Sequence, residues 1–100
     1  MKTDNVLRML GMAMKAGSVV SGEYMTERAV KSGKACLVVI AQDVSENTRK
    51  KFRNKCEFYE VPLREYFTKE ELGHSLGKEF RASLAVTDEG FAQAILKKMD

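Results

Sequence analysis

Apolar residues recur near the start of the chain at three- and four-residue steps, Val6, Leu7, Leu10, Ala13 and Met14, with polar residues between them. That spacing puts them on one face of a helix opened by Thr3 or Asp4 as its cap and stopped by Gly17. Ser18 to Ser21 reads as a short edge strand, and Ser21 or Gly22 starts a second helix with the buried stripe Met25, Ala29 and Val30 and a stop at Gly33. Cys36-Leu-Val-Val-Ile-Ala41 is apolar on both alternating faces and rich in β-branched residues, as a central strand covered on both sides by helices would be.

Behind it, Asp43-Val-Ser-Glu46 resembles a capping box, and Phe52, Cys56 and Tyr59 line up along a third helix whose other faces carry Arg49, Lys50, Lys51, Arg53 and Lys55. Val61 to Phe67 reads as a strand with Pro62 near its start, where a missing N–H matters least. Thr68-Lys-Glu-Glu71 is a second capping-box sequence, opening a helix through Leu72 and Leu76 that Gly73 and Gly77 keep short. Ala82 to Val86 forms a last strand, and Thr87 or Asp88 caps a closing helix carrying Phe91, Ile95 and Met99. The order is α-β-α-β-α-β-α-β-α. It predicts an α/β fold, a three-layer α-β-α sandwich around a four-stranded mixed sheet, with residues 1–100 as one domain.

Composition narrows the function more than the fold. The longest apolar run, Cys36 to Ala41, falls far short of the roughly 20 residues of a membrane helix. No secretory leader is legible in Met1 to Leu10, so a soluble cytoplasmic protein is expected, without membrane contact. Cys36 and Cys56, with a single His in the chain, leave a zinc site short of ligands, so no metal is expected and both thiols should be unpaired and mostly buried. Net charge is only +3, but residues 1–57 hold eleven Lys or Arg against six Asp or Glu, giving +5, and residues 58–100 hold six against eight, giving −2. An anionic partner is expected at the first half.

Catalytic sets are missing. His74 is followed by Ser75 without a Gly-x-Ser-x-Gly elbow, and Gly33-Lys34 is followed by Ala35, which breaks a phosphate-binding loop. The carboxylate pairs Glu70/Glu71 and Asp88/Glu89 fall in first helical turns, where the helix dipole favours them. Neither a cofactor nor a small-molecule substrate is implied. The second helix is more informative: its start, Ser21-Gly22-Glu23, offers backbone N–H groups at a positive dipole end, Arg28 and Lys31 lie on its polar side, and Lys15 and Lys34 flank it.

Met14-Lys-Ala-Gly17, Val20-Ser-Gly22, Val30-Lys-Ser-Gly33-Lys-Ala-Cys-Leu-Val-Val-Ile-Ala-Gln-Asp43 and Glu71-Leu-Gly73 occur in order. With these segments the chain resembles the kink-turn RNA-binding family of L7Ae- and L30e-like ribosomal proteins, particularly its short bacterial YlxQ-type branch, from about Val6 to Leu96. The resemblance implies a non-enzymatic protein that binds structured RNA, ribosomal RNA among the candidates, as a monomer. It implies contact through Gly22, Glu23, Tyr24, Met25, Thr26, Arg28 and Lys31, and through a loop of Lys78, Glu79, Phe80, Arg81 and Ala82; Lys15 adds phosphate attraction. Members of the family commonly place Asn or Lys and then Glu or Gln where this chain has Tyr24 and Met25. That departure predicts a weaker preference for a kink-turn over a plain duplex. A rival reading, favoured by Met25, Glu23 and Glu27, keeps the scaffold as a protein-interaction or assembly module that has lost direct RNA recognition, because the two carboxylates would repel phosphate.

Overall fold

The computed structural model describes residues 2–100, with side chains from Asn5 onward. Nine elements follow in the expected order: α1 (Lys2–Lys15), β1 (Val19–Ser21), α2 (Glu23–Lys31), β2 (Leu37–Ile40), α3 (Glu46–Phe58), β3 (Leu63–Glu65), α4 (Lys69–Ser75), β4 (Ser83–Val86) and α5 (Glu89–Met99). The strands form one sheet in the order β1-β4-β2-β3, with β2 and β3 parallel and β4 antiparallel to both of its neighbours. α1 packs with α4 and α5, while α2 packs with α3 and lies against β1 and β4. This is the three-layer mixed sandwich the element order predicts.

Burial follows the apolar pattern closely. Val6, Leu10 and Ala13 of α1 are fully covered, as are all four residues of β2. β4 is equally buried, so two interior strands share the centre of the sheet rather than one. Each large aliphatic or aromatic side chain removed from water in this way contributes about 1.5–3 kcal/mol. Helix ends are closed by local chemistry: the Thr68/Glu71 capping box is complete, and Asp88 accepts from the Phe91 N–H at 2.8 Å.

Several expectations need correction. Thr3 and Asp4 lie inside the first turn of α1, which already begins at Lys2, and their side chains are outside the described residues. α3 is capped by Ser45, whose hydroxyl accepts from the Thr48 N–H, while Asp43 instead accepts from the Lys69 N–H at 2.9 Å and ties the loop after β2 to the start of α4. Tyr59 is the C-cap of α3 and 41% exposed, because the helix ends before its ring reaches the core. β3 is shorter than Val61 to Phe67: the chain turns at Phe67, whose φ is 65°, and its carbonyl leaves the ladder to accept from the Gln42 N–H. Cys56 is buried, and the loss of hydration pushes its thiol up to about 11, but Cys36 precedes β2 and is only half-buried. Both are free thiols.

Candidate nucleic-acid interface

α2 starts at Gly22, whose φ of 92° is a conformation glycine adopts without strain. Its amide donates to the Ser83 carbonyl at 3.0 Å, which fixes the helix start to the head of β4. No side chain caps α2, and a Cβ at Gly22 would meet nothing within 4 Å. The positive end of the helix is therefore open to an approaching anion.

Only part of the helix surface expected from the sequence faces outward. Thr26 is fully buried, and Met25 is 44% exposed, the reverse of the apolar stripe read from the sequence. The stripe is Thr26, Ala29 and Val30, which shares the i, i+3, i+4 spacing of a buried face. A threonine is tolerated there because its hydroxyl oxygen accepts from Ser83 Oγ at 3.3 Å. Met25 then stands outward beside Tyr24, which is 69% exposed. Tyr24, Glu27, Arg28, Lys31 and Ser32 line an open concavity of about 410 Å³, and Arg28 also borders a second one with Val20, Met25 and Lys34.

The acidic residues of α2 are turned toward α3. Lys51 Nζ donates to Glu23 Oε2 at 2.9 Å and lies 3.1 Å from Glu27 Oε1. Lys55 and Lys31 lie 3.4 and 3.7 Å from Glu27. The Lys51 ammonium, hydrogen-bonded to Glu27 with Lys31 alongside, holds that carboxyl below the usual carboxylate range. At the other edge of α3, Arg49 and Arg53 both reach Glu65 of β3 at 2.7 Å. Most of the basic run of α3 is therefore spent on internal pairs. Near α2 and the segment before β4, Arg28, Lys34 and Lys78 take part in none of the ion pairs among the described residues, and elsewhere the same holds for Lys15, Lys50, Lys69, Arg81, Lys97 and Lys98.

The loop before β4 meets the start of α2 at the same end of the sheet. Lys78, Glu79 and Phe80 are exposed, Phe80 by 60%. Arg81 is half-buried and donates from Nε to Ser21 Oγ at 3.0 Å and from Nη1 to the Phe80 carbonyl at 2.8 Å. It is a strut between loop and strand as much as a free cation. Ala82 packs against the core and its carbonyl accepts from the Ala41 N–H. The loop is seated on α4, where the Lys78 N–H donates to the Gly73 carbonyl at 2.8 Å and the Arg81 N–H to the Lys69 carbonyl at 3.0 Å.

Lys15 is exposed at the last residue of α1, ahead of β1, whereas Gly22 follows the other end of that strand. Gly22, Tyr24 and Met25 at the start of α2 and the 78–81 loop lie at one end of the sheet, with Arg28 further along the same helix; Thr26 is turned into the core. The sequence reading missed Ser21, which anchors Arg81, and Gly73, which seats the loop. It also missed Lys51 and Lys55, which neutralise Glu23 and Glu27.

The sequence signature of the ribosomal protein L7Ae/L30e/S12e/Gadd45 family matches residues 4–96. The chain is 41% identical over 92 residues to the RNA-binding protein YlxQ of Bacillus subtilis, covering 92% of each chain. It is 38% identical over 84 residues to the large ribosomal subunit protein eL30 of Methanoregula boonei, covering 81% of this chain and 82% of that one. A protein of unknown function from Bacillus halodurans superposes with a TM-score of 0.92 at 32% identity, over 95% of this chain and 96% of that one. The 15.5kD RNA binding protein of Giardia lamblia shares the fold at a TM-score of 0.82 and 20% identity, over 97% and 86%.

Proposed function

The chain belongs to the ribosomal protein L7Ae/L30e/S12e/Gadd45 family, and on that premise we propose that it is a non-enzymatic RNA-binding protein whose contact surface is the start of α2 and the 78–81 loop. One observation carries the placement. α2 begins at an uncapped glycine, presents Tyr24, Met25 and an unpaired Arg28 outward, and has its acidic side chains drawn off toward α3. Backbone N–H groups and Arg28 serve phosphates, while the rings of Tyr24 and Phe80 offer stacking surfaces to unpaired bases.

The finer reading is that the target is a structured RNA with a sharp bend, a kink-turn of ribosomal RNA being the leading candidate, bound in the cytoplasm by a monomer. The rival reading, a protein-interaction or assembly module, rested on Met25 and on repulsion of phosphate by Glu23 and Glu27; pairing of both carboxylates with lysines removes the second of these grounds.

The test is a titration of a synthetic kink-turn RNA and of a plain duplex of equal length at several salt concentrations. Arg28→Ala should weaken binding to both and reduce the log-log salt slope by about one, since each phosphate neutralised contributes roughly that much. An unaltered slope and affinity would move the site elsewhere.

A further inference from the structure

We propose that Lys51, on α3 and outside the RNA surface itself, is a positioning residue that holds the Glu23 carboxylate away from the start of α2 and so keeps that helix end free for phosphate. This rests on the RNA-binding reading of α2. Glu23 is the first residue of the helix, where a carboxylate is attracted to the positive dipole end and to the free N–H groups. Left alone it would compete with a phosphate for the same donors and repel it.

The ion pairs show which cation prevents this. Glu27 has three ammonium partners, Lys51, Lys55 and Lys31, whereas among the described residues Glu23 has Lys51 alone. Loss of Lys51 would therefore release Glu23 while leaving Glu27 held. Lys51 itself is engaged by two carboxylates at 2.9 and 3.1 Å, so it has little charge to offer a phosphate directly. Its side chain is 32% exposed and bridges α3 to the two carboxylates of α2, in a network where ion pairs hold geometry better than isolated surface pairs do.

The experiment compares Lys51→Gln, Glu23→Gln, the two combined, and Lys98→Gln, which makes the same change in net charge from α5 on the opposite layer. Each is titrated with the synthetic kink-turn RNA across salt concentrations, with a thermal melt alongside. Lys51→Gln should weaken binding about tenfold at low salt, the effect of one screened charge near a phosphate, with the loss fading as salt rises. Lys98→Gln should cost less than about twofold. In the Glu23→Gln background Lys51→Gln should cost nothing further, so that the double variant binds as Glu23→Gln alone does, and Lys51→Arg, which keeps the charge, should bind as the unaltered protein does. A loss that persists in the Glu23→Gln background, together with a slope lower by about one in that background, overturns the proposal and puts Lys51 on a phosphate. If Lys51→Gln melts, Lys51→Met, which keeps the aliphatic stem, takes its place in the same comparison with and without Glu23→Gln, and a loss that is the same in both backgrounds overturns the proposal. An unaltered protein that binds no RNA would instead sink the RNA reading, and this proposal with it.

Discussion

A Cβ built on Gly73 would lie 2.5 Å from the Glu79 carbonyl oxygen and 2.8 Å from the Phe80 nitrogen, both of them backbone atoms that can yield only if the loop moves. Gly73→Ala should therefore push the 78–81 segment off α4 at a cost of about 1–3 kcal/mol, the usual price of overpacking. A thermal melt should fall by several degrees, and RNA affinity measured well below the melt should drop as Lys78 and Phe80 shift. Unchanged values in both would mean that the loop is not seated by this contact. Sequence alone gives Gly73 only the role of shortening a helix, because the atoms that exclude a side chain belong to a loop that folds back after Gly77. The Met25 and Thr26 exchange has a related cause: hydrophobicity ranks Met above Thr for burial, but the sheet offers Thr26 a hydroxyl partner on Ser83, and no pattern along one helix reveals that partner.

α3 illustrates the same limit for a whole element. Its existence and its Phe52/Cys56 stripe were legible from periodicity, yet its basic run reads as a solvated face until Glu27 and Glu65 appear on either side of it. Both carboxyls are held below their ordinary value of 4.5, Glu65 by the hydrogen bond from Arg49 with Arg53 beside it, and Glu27 by Lys51 first. The sign follows: below 4.5 the unfolded chain takes up protons that the fold still refuses, so stability from these pairs is present above that pH and is lost as pH falls through the lowered values. Acidification from about pH 6 to pH 3 should thus raise amide exchange in α3, after correction for the intrinsic rate, before it does so in β2 and β4. Replacing both carboxylates, Glu27→Gln with Glu65→Gln, should remove most of that pH response. Uniform loss of protection across helix and sheet would show that the pairs do not tie α3 locally.

For the molecule as a whole, the eleven basic residues of 1–57 overstate the cations free to meet RNA, since Arg49, Lys51, Arg53 and Lys55 are engaged by Glu23, Glu27 and Glu46, which the net +5 already counts, and by Glu65, which it does not. On the proposed reading, affinity leans on cations such as Arg28 that are left outside these pairs, and discrimination between RNAs leans on Tyr24 and Met25. Their exposure settles a practical matter, because polar replacement at Met25 does not open the core. The double change Tyr24→Asn with Met25→Glu places hydrogen-bonding groups where family members commonly carry them, and each base-edge pairing gained is worth about 1–3 kcal/mol. The ratio of affinities for a kink-turn over a plain duplex should therefore rise at least about tenfold, with the melt unchanged and the salt slope preserved because Arg28 is untouched. A ratio that stays level would show that base edges are already met by other groups, with Phe80 and the loop backbone the nearest candidates.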